Sequence, residues 1–433
     1  MAFPDHRRLR RRILRISATL AVSGLAATCG DAAGPEAQVD EVDGVLERVL
    51  PASSLDLSAP FLLSQDPVFR LGTLTGAVAE RFGRVVGALA LPDGSVVVLD
   101  AGLRDLLRFD RDGALLWRVA REVEVEREGE EDMETRFRLP QRLVLLSADT
   151  LAVWDPGLEE VIFFDLEGDE IGVEPLELGA DVERVVALHP AVDGGMIVVA
   201  VASAEVDSAS EGWIRQRGLL HHWSFGGDVG GVSEVDGPGY SLRPQGEGAA
   251  TRVRDWYHPD LLTAGDAQGV WVTDGMDWRI ELWSPGEDRP EERVRIDAPR
   301  IPLDRTTLED LHEEEIQQAG DDPERIRRLR IRQEEREYPT HRPPLVQLRV
   351  DAAERLWVGL AQDLPTVLPS GGGPEVREWL ILDDGREPLG SVTLPPRSGW
   401  LWADEGSILL LRYDELGLPF VEMYPLEPNG SRP

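Results

Sequence analysis

"LPDGSVVVLDAGLRDLLRFDRDG" fills residues 91–113, and "LSADTLAVWDPGLEEVIFFDLEG" fills residues 146–168 with the same pattern and no gap. Each stretch holds an apolar run, a turn, a second apolar run and another turn. Asp100 maps to Asp155, Gly102 to Gly157, Leu103 to Leu158, Phe109 to Phe164, Asp110 to Asp165 and Gly113 to Gly168, all displaced by 55 residues. The runs are short, rich in β-branched and aromatic side chains, and bounded by Asp-Gly turns, so they read as strands. Self-similarity at this period marks a solenoid or a propeller.

Looser copies follow. "DGGMIVVAV" (193–201) with "LLHHWSFGGD" (219–228) repeats the pair, as does "AQGVWVTDGMDWRIELWSPG" (267–286). "AAERLWVG" (352–359) with "EWLILDDG" (378–385), and "DEGSILLLRYD" (404–414) with "PFVEMYPL" (419–426), complete six units. Six four-stranded sheets suit a closed ring, which leaves no long exposed edge to aggregate. "PVFRLG" (67–72) precedes the first complete unit and is expected to supply the missing outer strand of the last. Trp117, Trp154, Trp223, Trp271, Trp283, Trp357 and Trp379 recur at unit positions and read as wedges between sheets.

On these residues, Asp100-Ala-Gly102 with Phe109-Asp110 and Gly113, and Asp155-Pro-Gly157 with Phe164-Asp165 and Gly168, the chain resembles bacterial six-bladed β-propellers related to NHL-repeat proteins, of exported lipoprotein type. "Leu418-Pro419-Phe420-Val421-Glu422-Met423-Tyr424" is similar to that family's closing strand. One departure is "EVEVEREGEEDMETRF" (122–137), where such proteins often carry a glycine-rich segment. The resemblance implies an all-β fold, a six-bladed β-propeller over residues 59–427, with a helical insertion between blades 4 and 5 at about 303–342 and a tail at 428–433.

The amino terminus reads as an export signal over 1–29: a basic stretch, the apolar "ISATLAVSGLAAT", then Cys29, the only cysteine of the chain. "Ala26-Ala27-Thr28-Cys29" is similar to a lipobox, so Cys29 is the expected lipidation site. The alternative is a periplasmic protein without an anchor. A lone cysteine allows no internal disulfide, and the fold must hold by packing. Residues 30–58, acidic and short of aromatics, read as a tether.

The net charge is −35, all 45 cationic side chains are arginine, and loss of residues 1–29 makes the mature chain more acidic still. Such a surface repels phosphate backbones, so nucleic acid is not an expected partner. A monomer is expected.

Within an up-and-down sheet, the links between first and second strands and between third and fourth strands emerge at one end. Here they are tight. The other links carry the extra chain, at 121–139, 203–218, 229–256, 297–344 and 361–378, and mark one face as the working surface. "TTLEDLHEEEIQQAG" and "DDPERIRRLRIRQEERE" read as two helices, the second basic. Arg327 and Arg330 on it are candidates for an anionic partner, or else are paired with Glu324, Glu334 and Glu335 on a solvated helix.

Asp100, Asp155 and Asp274 end equivalent strands on the loaded face. They are candidate ligands for Ca²⁺, or each fixes its own turn by accepting from an amide two residues on. His221 and His222, adjacent on a strand, point to opposite faces and cannot share a metal. Trp213, Trp256, Tyr257, His258 and Trp278 lie in or beside connections and are candidates for ligand contact. No nucleophile elbow, zinc-protease, phosphate-loop or dinucleotide motif occurs. The expected function is a non-catalytic cell-envelope propeller that presents its loop-rich face to a protein, peptide or glycan. The alternative is a metal-dependent propeller hydrolase, lactonase or lyase with its site in the central channel.

Overall fold

Val96–Val97–Val98–Leu99 is apolar without alternation, and all four side chains are buried. A strand reads this way when protein covers both faces. Val96 and Val98 pack into one core cluster with Leu409, Leu411 and Val421, whereas Val97 and Leu99 pack into another with Leu151, Val153 and Ile162. One strand therefore wedges between two neighbouring sheets, and the period of two divides its residues between them.

The computed structural model describes residues 37–55, 61–72, 81–120, 122–127, 130–135, 137–203, 212–244, 250–254, 257–266, 268–334, 336–362, 364–369 and 374–428. Cys29 and Trp256 lie outside the described residues, as does the export signal. The protein is mostly β, built from sheets of four antiparallel strands with additions, an arrangement consistent with a propeller. Sheet one comprises Val85–Ala90, Val96–Asp100, Asp105–Phe109 and Leu115–Val119. Sheet two comprises Arg142–Ser147, Thr150–Asp155, Glu160–Asp165 and Glu170–Pro175. Sheet three has Val182–Pro190, Met196–Ala202, Gly212–Trp223, Val229–Pro244 and a fifth strand, Ala250–Val253.

Sheet four has Leu262–Asp266, Gly269–Thr273, Arg279–Trp283 and Glu292–Asp297. Sheet five has Leu345–Val350, Leu356–Leu360, Glu378–Leu382 and Pro388–Thr393. Sheet six has Ser398–Ala403, Ser407–Tyr413 and Pro419–Pro428. Phe69–Leu71 pairs with the third strand of sheet six, Pro419–Pro428, Arg70 opposite Glu422, and so adds the outer strand that the reading of residues 67–72 expects. Phe61–Leu63 pairs with the same strand further along.

Core clusters lie between sheets one and two, two and three, three and four, four and five, and five and six. A sixth joins sheet six to sheet one. Trp223, Trp271, Trp357 and Trp379 are fully buried in these seams, as wedges should be. Each such aromatic contributes about 3–5 kcal/mol by the cost of truncation to alanine.

Two expectations need correction. The acidic segment read as a tether over 30–58 is not free from Ala37 onward. Gln38–Val42 and Val45–Pro51 form a hairpin whose second strand runs parallel to Glu292–Asp297 and extends sheet four. Leu50 is fully buried there, and Arg293 and Arg295 meet Glu47. The stretches 203–218 and 229–256 are not simple connections. Gly212–Trp223 and Val229–Pro244 run past the end of their sheet as a ribbon, Trp213 opposite Ser241, which Ala250–Val253 joins. Arg327 and Arg330 make no ion pair among the described residues, and Glu335, one of their expected partners, lies outside those residues.

The insertion between sheets four and five holds α1 (Arg305–Ala319), capped by Asp304, which accepts from Thr307 N at 2.8 Å, and α2 (Pro323–Glu334). No helix among the described residues is long and apolar enough to cross a membrane.

Candidate functional site

Asp100 and Asp155 show what the repeat does with a carboxylate. Asp100 is fully buried and accepts from four backbone N–H groups, those of Gly83 (2.6 Å), Arg84 (2.9 Å), Gly102 (2.8 Å) and Leu103 (3.0 Å). Asp155 does the same with Arg138, Leu139 and Gly157 at 2.6–2.9 Å. Each pins the chain arriving at its sheet to the link between the second and third strands. A Cβ on Gly102 would lie 2.6 Å from Arg84 N, so only glycine allows that approach. Arg104 and Glu159, one repeat apart, both sit at φ 60°.

Asp274 occupies the same place in sheet four and does something else. Its Oδ2 accepts from Arg215 Nη2 at 2.6 Å, a residue of the sheet-three ribbon, and its Oδ1 accepts from Met276 N at 3.0 Å. The structure therefore does not bring the three aspartates together as a ligand set. Among the described residues, no group of three or more His, Cys, Asp or Glu is arranged to hold a metal ion.

Asp274 instead lines a cavity of about 540 Å³ with Tyr257 and His258. Most of its wall comes from the links: Arg254, Tyr257, His258 and Asp260 between sheets three and four, Asp274 after Thr273, Arg336 and Pro343 beyond α2, and Ala361, Gln362, Pro365, Thr366, Val367, Pro374 and Glu375 within sheet five, with Leu262, Leu345 and Val346 at the starts of the first strands of sheets four and five. Pro343, Leu345, Val346, Pro365, Val367 and Pro374 give it an apolar lining, while Arg254, Asp260 and Asp274 supply charge. Arg254 is ion-paired with Asp260. Tyr257 is buried at φ 67°, a left-handed conformation that costs a non-glycine residue about 1–3 kcal/mol. The surrounding packing holds it there, with Pro259 O accepting from Gly239 N of the ribbon at 3.0 Å.

His258 is also buried. Its Nε2 donates to Glu337 O at 3.1 Å, which leaves Nδ1 as an acceptor with no donor among the described residues. Arg336, beside it, bonds Glu315 of α1 at 2.6 Å and Tyr338 Oη at 3.2 Å, tying the helical insertion to the cavity wall.

The remaining candidates do not reach this cavity. Trp213 is 47% exposed on the ribbon, its ring over Gly239. Trp278 donates from Nε1 to Pro299 O at 2.9 Å and packs on the seam between sheets four and five. Arg327 and Arg330 border a separate shallow depression on α2 with Ile326 and Ile331. His221 is buried while His222 meets Asp193 at 3.0 Å, so the adjacent pair does diverge. Sequence reasoning missed Asp260, Arg336 and the prolines of the wall, since proximity across three sheets leaves no local signal.

Fold and site together define a mostly β protein of antiparallel sheets, consistent with a propeller, with a built cavity among its long links. No protein-family model matches the chain, and no curated protein matches it. Among solved structures, it is similar to an exported protein of Bacteroides fragilis, with 10% identity over 87% of this chain and 99% of that one, at a TM-score of 0.44. It is also similar to virginiamycin B lyase from Staphylococcus aureus, with 10% identity over 84% of this chain and 88% of that one, at 0.37. A third is BamB from Moraxella catarrhalis, with 9% identity over 90% of this chain and 96% of that one, at 0.33.

Proposed function

We propose that the six sheets close into a six-bladed β-propeller of the cell envelope that binds, without catalysis, a protein or peptide at its loop-rich face. The ring reading draws on the seams that run from sheet to sheet and return from sheet six to sheet one. The function reading draws on one observation, the cavity whose wall comes mostly from the connections between strands and whose lining is apolar with a few fixed polar groups. Burial of an apolar side chain against the proline-rich lining is the interaction the geometry favours. Cys29 anchors the chain by its acyl group, and Cys29→Ala moves the protein from the membrane fraction to the soluble one. Persistence of the variant in membranes contradicts the anchor.

The test is display panning of peptides on the purified protein. Val367, 51% exposed at the cavity, becomes arginine in one variant, and Val192, 79% exposed in a tight turn at the opposite end, becomes arginine in a second. Enriched peptides lose at least about tenfold in affinity, 1.4 kcal/mol, for Val367→Arg and none for Val192→Arg. Peptides that bind both variants alike, or none enriched at all, contradict the reading.

A further inference from the structure

The first strand of each sheet is an edge, and the first strands of sheets two, three and five carry Arg142, His189 and Arg349. Sheets two and five share no core seam, yet the Arg142 and Arg349 guanidiniums repel one another, and both act on His189. Contacts run the same way from one first strand to the next: Arg142 reaches the Val186 carbonyl of sheet three, His189 reaches Thr263 of sheet four, and Arg349 of sheet five reaches the Trp400 ring of sheet six. Surrounding protein desolvates the Arg142 charge and lowers its pKa.

The cluster is built rather than incidental. Arg142 Nη2 donates at 2.8 Å to the carbonyl of Val186, a bulged residue whose ladder partner is missing. Arg142 Nη1 donates to Gln141 O at 3.0 Å, and Arg349 Nη1 to Leu348 O at 2.9 Å. His189 Nε2 is 3.2 Å from Thr263 Oγ1, and its ring fills the space where a Cβ on Gly265 would come within 2.5 Å of Cγ. The Arg349 guanidinium carbon lies 5.8 Å from the Trp400 ring centre, and Trp400 Nε1 is a buried donor without an acceptor among the described residues.

Neither arginine meets a carboxylate among the described residues, in a chain with 80 acidic side chains. A guanidinium offers five N–H donors in a planar fork matched to carboxylate and phosphoryl oxygens, and backbone carbonyls use only a minority of them here. Two desolvated like charges with spare donors are stabilised by an anion between them. We propose that the space enclosed by the first strands is an oxyanion-binding site, in which Arg142 and Arg349, assisted by the Trp400 indole N–H, take the carboxylate or phosphoryl group of a small ligand. The inference rests on the ring reading above, because the ring is what makes the enclosed space a channel.

Calorimetric titration of the purified protein with inorganic phosphate and with malonate, at low ionic strength and with sodium chloride as control, tests it. Saturable binding of either probe is expected, phosphate alone marking a phosphoryl ligand and malonate alone a carboxylate. Arg349→Gln and Arg142→Gln each weaken it at least about tenfold, while Arg330→Gln on α2 leaves it unchanged. Trp400→Phe, which removes the N–H and leaves a smaller aromatic ring, weakens it. No saturable binding at millimolar probe, binding that survives both channel substitutions, or binding lost with Arg330→Gln overturns the site. Ring closure is checked separately by a disulfide between Arg70→Cys and Glu422→Cys. If it forms and anions do not bind, this inference alone falls; if it does not form, the ring reading falls with it.

Discussion

Sheets one and two are near copies; sheets three and four share their tight turns with them but depart where the ribbon of sheet three reaches Asp274 of sheet four. In the first pair, Asp100 and Asp155 are buried and given over to backbone amides, and the loops they pin have no room for anything else. In the second pair, Asp274 stands at the same repeat position, but a ribbon grown from sheet three reaches across to it with Arg215. The same aspartate that fixes a turn in one region lines a cavity in the other. Repetition therefore marks the scaffold, and the departures from it mark where the cavity forms.

The largest expected contrast is between these aspartates. Asp155→Ala leaves the N–H groups of Arg138, Leu139 and Gly157 without their carboxylate acceptor and lowers stability by about 2–3 kcal/mol. Asp274→Ala removes one half-buried ion pair and lowers it by about 1 kcal/mol or less. Denaturant titration of both variants checks this, and equal losses break the distinction.

Next in size is a pair of glycines. A Cβ on Gly237 in the ribbon would lie 2.6 Å from Gln216 O, whereas one on Gly172 in sheet two meets only Phe163 at 3.8 Å. Gly237→Ala is expected to lower stability by about 1–3 kcal/mol, while Gly172→Ala is neutral or stabilising by a few tenths. Thermal melts of the two variants measure the difference.

A smaller effect follows pH. Burial, with Arg349 and Arg142 adding to it, holds His189 down to about 3 from 6.5. The unfolded chain binds this proton first, so the contribution of neutral His189 is intact above about pH 6.5 and is lost as pH falls toward 3. His189→Gln makes stability less dependent on pH across that window, read as the wild-type minus variant difference in denaturation midpoints. An unchanged slope contradicts the burial of this group.

The repeat was legible because wedge strands demand continuous apolar runs and their turns demand Asp and Gly at fixed offsets. The hairpin at 38–51 was not, since Gln38–Val42 is exposed throughout and its anchor, Glu292–Asp297, lies far along the chain. The ribbon was misread as a connection because Gly230, Gly231, Gly237, Pro238 and Gly239 punctuate it. In the structure, Gly237 and Gly239 are there for close approach, the first to the Gln216 carbonyl and the second to the Trp213 ring. Tyr257 and His258 stood out as an aromatic and an imidazole beside a proline, but Arg336 and the proline-rich wall reach them only through the fold. The grouping of Arg142, His189 and Arg349 was invisible in a chain so acidic, where two arginines and a histidine on three separate strands give no local pattern.

Hydrogen–deuterium exchange with and without a peptide selected on the purified protein tests the working face most directly. The account predicts slowed exchange at 257–262, 336–346 and 361–369 and none at the tight turns 92–95, 111–114 and 191–195. Protection concentrated at those turns, or confined to sheets one and two, would contradict it.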